Sequence, residues 1–148
     1  MKKLIKHFKT SPCRIWYNEW VEKNARGSVL NVGKSEIWSY GFPTIDTNEK
    51  LSPTFVDDIC DCKLDSNSYD VVLCNGMYES VEDPQKMVNE VMRITKRNGL
   101  AIFGFVNKNY YPYKKGWKYY TEGDIKFPIK IIKKKKFNDY VFIICKKF

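Results

Sequence analysis

The sequence predicts an α/β fold built on a mostly parallel sheet. Two apolar runs, residues 69–75 and 100–105, are rich in β-branched and aromatic side chains and are bounded by turn residues. Such runs are typical of strands that are buried on both faces of a parallel sheet. A periodic segment at residues 84–96 lies between them and indicates an amphipathic helix. A strand, a helix and a strand in succession form a parallel pair with a right-handed crossover.

The predicted helix of this central unit has signals at both ends. Asp83 is a good N-cap residue, and Pro84 suits the first helical position because its missing N–H costs nothing there. The apolar stripe that follows consists of Met87, Val91 and Ile94. Lys96 and Arg97 place cations near the C-terminus, and Gly99 can adopt the left-handed conformation that ends a helix. The helix is therefore predicted to end just before Gly99.

The other elements follow from similar signals along the chain. Residues 4–24 are predicted as an amphipathic helix that is broken or kinked at Pro12. The remaining predicted strands are residues 28–33, 42–45, 54–56, 129–135 and 140–146, of which the last two form a hairpin. Residues 34–42 are too few for the usual crossover helix, since a parallel crossover takes roughly a dozen residues or more. The first crossover is therefore expected to be shortened.

Bulk composition is that of one globular domain. The chain has 148 residues, of which 43% are hydrophobic and 29% charged, and no apolar run approaches the roughly 20 residues of a membrane span. We expect a single domain over 1–148, with a helical lead-in at 1–27, a core at 28–105, and a loop and terminal hairpin at 106–148. Lys6, His7 and Lys9 interrupt the apolar region that a signal peptide needs, so we expect a cytoplasmic protein.

The cysteine and histidine content argues against several kinds of site. Cys60 and Cys62 lack the two-residue spacing of zinc and thioredoxin motifs, and the five cysteines are predicted to be free, mostly buried thiols. With His7 as the only histidine, sites with several His ligands and Ser-His-Asp hydrolysis are nearly excluded. We therefore expect no metal site.

The net charge of +9 leaves two interpretations open. Tyrosines and lysines at 108–120 and the lysines at 133–136 have the character of a surface for single-stranded nucleic acid. The same lysines also suit a solvated hairpin, and a composition rich in Lys, Asn and Ile can arise without selection for binding. Nucleic acid is therefore an open but not a favoured partner.

Four segments carry a resemblance to a known family. They are residues 58–59, 68–74, 79–84 and 93–100, and the spacings from Asp58 to Asp70 and from Asp70 to Gly99 match the family's. Residues 28 to about 125 thereby resemble the class I S-adenosylmethionine-dependent methyltransferases, most closely the small methyltransferase-domain type. The resemblance implies a Rossmann-like sheet in the order 3-2-1-4-5-7-6, with an antiparallel last strand and S-adenosylmethionine as the cofactor.

The resemblance also implies which residues contact the cofactor. They are Asn31, Gly33, Asp46, Asp58, Ile59 and Asn75. Asp46 would bind the ribose hydroxyls, Asp58 and the Ile59 backbone the adenine, and the turn from Asn31 to Gly33 the methionine part. Asn75, just past the fourth strand, would lie beside the reacting methyl group. Asp46 and Asp58 are also suited to capping turns after strands.

The first family motif is degenerate in this chain. The family reads acid-x-Gly-x-Gly, whereas residues 31–35 read Asn-Val-Gly-Lys-Ser. Lys34 adds bulk and a positive charge near a sulfonium cofactor. Ser80 stands where the family commonly has histidine, so Glu79 and Tyr113 are the candidates for a catalytic base.

Two functions are compatible with this pattern. The first is an S-adenosylmethionine-dependent methyltransferase with a small or carbohydrate-like acceptor, since methyl transfer needs mainly orientation and a deprotonated nucleophile. The second is a degenerate member of the fold without catalysis that acts as a binding or regulatory module. The retained Asp46 and Asp58 favour the enzyme, and the altered first motif favours the module.

Overall fold

The computed structural model describes residues 11–35, 39–75, 81–106, 122–128 and 130–148. Its seven strands form one sheet: β1 Val29–Val32, β2 Thr44–Asp46, β3 Phe55–Val56, β4 Tyr69–Asn75, β5 Thr95–Val106, β6 Lys130–Lys136 and β7 Tyr140–Lys146. Two α-helices accompany the sheet, α1 Pro12–Asn24 and α2 Pro84–Ile94. Single 3₁₀ turns cover Glu49–Leu51, Ile59–Asp61 and Glu122–Asp124.

The sheet has the order β3-β2-β1-β4-β5-β7-β6. Strands β1 to β5 pair in parallel, and β7 pairs antiparallel with both β5 and β6. The chain runs outward from β1 to β3 and then returns to place β4 on the other side of β1. The predicted fold class and strand order are confirmed, and the switch in strand order lies between β1 and β4.

The two helices cover opposite faces of the sheet. Alternate residues of β4 show the division, because Val71 and Leu73 pack in the cluster with α1, whereas Val72 and Cys74 pack in the cluster with α2. This period of two is that of a strand buried on both faces. Between β1 and β2, the described residues contain no helix, in agreement with the predicted shortening of the first crossover.

Helix α2 begins as predicted but ends earlier. The Asp83 side chain accepts a hydrogen bond from the Lys86 N–H at 3.1 Å, and Pro84 occupies the first turn. The helix stops at Ile94, and Asn98, not Gly99, adopts a left-handed conformation with φ of 63°. The prediction for Gly99 was therefore wrong. Asn98 tolerates this conformation better than most residues do, and the chain uses it in an irregularity of β5.

Several strand bounds also differ from the prediction. β5 begins at Thr95 because this residue pairs with Tyr69, after which the register shifts and pairing resumes between Leu100 and Val71. β2 starts at Thr44 and includes Asp46, and Asn75 is the last residue of β4 rather than the residue after it.

Some predictions fall on residues that the structure does not describe. The first part of the predicted N-terminal helix, the aromatic loop at 108–120 and both candidate bases, Glu79 and Tyr113, lie outside the described residues. All five cysteines are described; they are free, and only Cys60 is not buried. That prediction is confirmed.

Strand β6 forms one edge of the sheet. It carries five lysines in seven residues, and nearly all its side chains are exposed. Lys133 places its Nζ 5.8 Å from the centre of the Trp16 ring, on the face that α1 covers. Trp16 in turn stacks on Phe142 at a centroid distance of 5.2 Å, so this tryptophan belongs to the periphery of the core.

Candidate functional site

The candidate site lies at the carboxyl ends of β1, β2 and β4. Open parallel sheets bind their ligands at this edge, where the strand order switches. The last residues of these three strands line cavities there; they are Val32, Asp46 and Asn75. Two adjoining cavities occupy the edge, and Val32 and Asp46 line both of them.

The smaller cavity has a volume of about 260 Å³ and lies between α1, the turn after β1 and the start of β7. Its polar lining residues include Arg14, Tyr17, Asn31, Lys34, Asp46 and Asn75. The cavity lies just below the usual range for a drug-sized ligand, roughly 300–1,000 Å³. It therefore suits one end of a longer molecule.

The larger cavity is an open groove of about 860 Å³ beside β2 and the start of α2. Six of its lining residues are acidic: Asp46, Asp57, Asp58, Asp61, Glu82 and Asp83. Lys86 is the one cation among the described residues that line it. In a chain of net charge +9, this groove is a local acidic region that favours hydrogen-bond donors and cations over phosphates.

Asp46 connects the two cavities and orders the backbone around them. Its Oδ2 accepts a hydrogen bond from the Lys34 N–H at 2.9 Å, and its Oδ1 accepts one from the Asn48 N–H at 2.9 Å. Because a carboxylate has about four lone-pair sites, two remain for a ligand. The side chain thus fixes the turn after β1 and still presents acceptor capacity to both cavities.

Asp58 and Ile59 line the acidic groove from the loop after β3. Asp58 is exposed and caps the 3₁₀ turn, since its Oδ1 accepts a hydrogen bond from the Cys60 N–H at 2.9 Å. Ile59 is buried with 5% exposure and belongs to the core on the α2 face. The turn-capping role that the sequence suggested for Asp58 is therefore present, together with a place in the groove.

The turn from Asn31 to Gly33 is closed by its own side chain. The Asn31 Nδ2 donates to the Gly33 carbonyl oxygen at 2.7 Å, and the Gly33 N–H donates to the Ile45 carbonyl oxygen at 2.8 Å. Gly33 has φ of 88°, a conformation that favours glycine. Asn31 is 6% exposed, so its amide group mainly stabilises the turn.

Asn75 reaches the smaller cavity from the end of β4. Its Oδ1 is buried and has no hydrogen-bond partner among the described residues. It lies over Gly104 of the neighbouring strand, with which it pairs in register. The carbonyl oxygen of this amide is therefore a buried acceptor without a partner in the described part of the chain, on a residue that lines the cavity.

Sequence reasoning missed the contribution of α1 to the smaller cavity, which includes Arg14 and Tyr17. Tyr17 is 2% exposed, and its hydroxyl has no partner among the described residues. Burial raises its pKa well above the ordinary value of 10.0, so the phenol stays neutral. A signal existed, because Cys13, Tyr17 and Val21 follow helical spacing and place a hydroxyl on an apolar stripe.

The cysteines near the site are not poised as nucleophiles. Cys13 lines the smaller cavity and Cys60 the acidic groove. Burial raises the pKa of each thiol from 9.0 to about 11, so both are protonated at neutral pH.

No group of three or more His, Cys, Asp or Glu side chains in the described ranges could hold a metal ion. Nor is any helix in those ranges long and apolar enough to cross a bilayer.

Comparison with known proteins identifies a methyltransferase domain. A family model described as "Methyltransferase domain" matches residues 24–103. The ubiquinone biosynthesis O-methyltransferase of Vibrio cholerae is 27% identical over 89 residues, which cover 59% of this chain and 36% of that protein. The enzyme of the same name from Vibrio atlanticus is 28% identical over 86 residues, with coverage of 57% and 35%. This chain thus spans about a third of the length of these curated relatives.

Solved structures share the fold over nearly the whole chain. The PH0226 protein of Pyrococcus horikoshii matches with a TM-score of 0.69 at 15% identity, covering 94% of this chain and 93% of that one. A SAM-dependent methyltransferase of Thermotoga maritima matches with a TM-score of 0.64 at 16% identity, covering 100% of both chains. At this identity the likeness shows the fold alone.

The sheet order and the crevice at the switch in strand order define a class I methyltransferase fold. The family match then extends over more than half of the chain. This chain belongs to the class I S-adenosylmethionine-dependent methyltransferases, in the methyltransferase-domain family.

Proposed function

We propose that this chain binds S-adenosylmethionine across both cavities and transfers its methyl group to a small molecule. The observation that carries the proposal is the position of Asp46, which lines the acidic groove and the smaller cavity alike. A nucleoside that carries an amino-acid end needs two adjoining hollows with a hydroxyl-binding carboxylate between them. Asp46 would bind the ribose hydroxyls, and residues 28–105 would form the cofactor-binding core.

The two cavities differ in the chemistry that each end of this cofactor needs. Asp58 and the Ile59 backbone lie in the groove that would take the adenine, whose amino group is a donor. The turn from Asn31 to Gly33 and the Asn75 amide line the smaller cavity that would take the methionine end. The acidic groove disfavours a dinucleotide, because a pyrophosphate would lie against carboxylates.

The reaction asks little of the protein beyond orientation. S-adenosylmethionine supplies, when bound, a methyl group made electrophilic by the sulfonium. The name of the curated relatives specifies O-methylation, so we propose a hydroxyl acceptor, which must lose its proton as the new C–O bond forms. Glu79 and Tyr113 are the proposed candidates for the base that accepts this proton.

Calorimetric titration with S-adenosylmethionine and S-adenosylhomocysteine tests the cofactor. We expect micromolar binding of both, equivalent to about −8 kcal/mol. Asp46→Ala should weaken binding at least about tenfold, because charge-assisted hydrogen bonds to the ribose are lost.

Asp70→Ala is the matched control. Asp70 also accepts a backbone hydrogen bond, from the Ser28 N–H at 2.8 Å. It lies near the beginning of β4, however, at the end of the strands opposite to the candidate site. The Asp70→Ala variant should bind the cofactor with the same affinity as the unaltered protein. Equal weakening of binding by both variants would mean that Asp46 acts only through the stability of the fold. If the unaltered protein binds neither ligand at millimolar concentration, the remaining candidate function is the binding or regulatory module without catalysis.

A further inference from the structure

The lysines of the edge strand β6 are divided between the two faces of the sheet. Lys133 and Lys135 pair with two residues of β7 that pack in the cluster with α1. Because directly opposed residues of an antiparallel pair point to the same face, these two lysines lie on the α1 face. Lys134 and Lys136 pair with β7 residues of the cluster with α2 and lie on the opposite face. The basic run of the sequence thus forms two different surfaces.

On the α1 face, each of these lysines lies beside an aromatic ring. The Lys133 Nζ is 5.8 Å from the centre of the Trp16 ring, and the Lys135 Nζ is 5.5 Å from the centre of the Phe137 ring. Neither ammonium group forms an ion pair with a described residue. Proteins bind single-stranded nucleic acid with cations for the phosphates and aromatic rings for the bases. Lysines that only solvate an edge strand do not require rings beside them, so this pairing favours the nucleic-acid interpretation.

A cavity of about 360 Å³ adjoins these lysines between α1 and β6. Its lining residues are Trp16, Glu19, Trp20, Lys23, Asn24 and Lys133. The volume lies within the usual range for ligand cavities, roughly 300–1,000 Å³. The two indole rings offer apolar surface to a flat ring, and two of the lining side chains are cationic. The cavity therefore suits one base together with a neighbouring phosphate.

The distribution of charge over the sheet also favours a polyanion at this edge. Residues 130–148 contain seven lysines and a single acidic residue, Asp139. The acidic groove of the candidate site lies beside β2, which is next to the opposite edge strand, β3. A polyanion is therefore attracted to the β6 edge of the sheet and repelled from the β3 edge.

We propose that the α1 face of β6 binds single-stranded nucleic acid. Lys133 and Lys135 pair with successive phosphates, and one base enters the cavity beside Trp20. The two lysines are two residues apart on a strand, which separates their backbones by about 7 Å. Neighbouring phosphates of an extended single strand have a similar separation. This surface is distinct from the candidate site, since neither lysine lines either of its cavities.

Fluorescence anisotropy with a labelled oligothymidylate of about 8 nucleotides tests the phosphate contacts. Affinity should fall as salt rises from about 50 mM to 200 mM. Lys133→Gln/Lys135→Gln should reduce the slope of log affinity against log salt by about 1.4, because each paired phosphate contributes about 0.7.

The matched control is Lys134→Gln/Lys136→Gln, which removes the same charge from the same strand but on the opposite face. It should leave the slope unchanged. Both double variants should keep the thermal midpoint of the unaltered protein, since none of these side chains is buried. An equal loss of slope in the two variants would show diffuse attraction and overturn the proposal, as would no binding of oligothymidylate in about 50 mM salt.

A second probe tests the base contact without a variant. An abasic strand of the same length keeps the phosphates and should bind the unaltered protein about tenfold more weakly than oligothymidylate. Trp20→Leu should weaken oligothymidylate by a similar factor and leave the abasic strand unchanged. Equal affinity for the two strands would overturn the proposal. If the unaltered protein then also binds phosphatidylglycerol vesicles, the surface would be assigned to a membrane instead.

Discussion

The Asn75 Oδ1 lies close to Gly104, the direct partner of Asn75 on the neighbouring strand β5. A Cβ atom built on Gly104 would overlap the Asn75 Oδ1 and would approach the Phe142 ring to 2.9 Å. The glycine is therefore required here for close approach, because any side chain would displace the amide or the ring. The orientation of a candidate site residue thus depends on a residue that has no side chain.

Gly104→Ala should destabilise the protein by about 1–3 kcal/mol, because the added methyl group overpacks a well-filled position. Urea unfolding measures the change. The double variant Gly104→Ala/Asn75→Ala should recover part of the loss, since it removes the overlapping oxygen. Strict additivity of the two single variants would show that Asn75 is not the obstacle.

Asn75→Leu should raise the free energy of unfolding by about 1 kcal/mol, because it removes a buried acceptor that has no partner. For a chain of this size, thermal denaturation should then show a midpoint roughly 3 °C higher. The control is Asn31→Leu in the same cavity. It loses the hydrogen bond to Gly33 and should lower the midpoint, and a shift of both variants in the same direction would contradict this argument.

Lys147→Met should destabilise the protein by about 1–3 kcal/mol. The Lys147 Nζ donates to the carbonyl oxygens of Met92, Arg93 and Thr95 at 2.9, 3.0 and 2.9 Å, and these groups end α2. The variant leaves them without that partner. Lys146→Met is the control for charge alone, and urea unfolding should separate the two variants clearly.

Loss of the ion pair between Arg93 and Glu90 should account for part of the fall in stability in acid. The Arg93 guanidinium, with its Nε 2.8 Å from Glu90 Oε1, holds the pKa of that carboxyl below its ordinary value of 4.5. Because the folded-state pKa is the lower one, the stabilisation is fully present above about pH 4.5 and is lost as the pH falls through the folded value.

Glu90→Gln should therefore lower stability at pH 7 by about 1 kcal/mol and flatten the decline that begins as the pH falls below about 4.5. Urea unfolding across that range measures both effects. Glu49→Gln, at an exposed carboxylate, should leave the profile unchanged. An acid profile of Glu90→Gln parallel to that of the unaltered protein would exclude this pair as a source of the pH dependence.

The start of α2 could be predicted from the sequence because its signals are local. Asp83 and Pro84 act within one turn of the residues that they stabilise. Its end could not, because Lys147 caps the helix from 55 residues beyond Met92. The sequence offered Lys96 and Gly99 as nearby alternatives, but tertiary contacts decided where the helix stops and β5 begins.

The same distinction applies to the residues of the candidate site, because some could be predicted from the sequence and others could not. Asp46 and Asn75 end strands and Asp58 follows one, and the order of strands along the chain predicts that these residues meet at the carboxyl ends of the parallel strands. Tyr17 lines the smaller cavity from a helix that precedes the sheet, and its position there depends on how α1 packs on β4. That packing angle is a property of the assembled core, which a linear pattern does not contain.

The contact between Lys147 and the end of α2 also bears on the order in which the protein folds. The hydrogen bonds within helix α2 are local in sequence, but its last carbonyls gain this partner only when β7 has joined β5. Contacts of such long sequence separation close late and slow the folding rate, because the chain between them must be ordered first. Completion of the helix is thereby coupled to closure of the sheet, and this coupling favours a single cooperative transition over stepwise assembly.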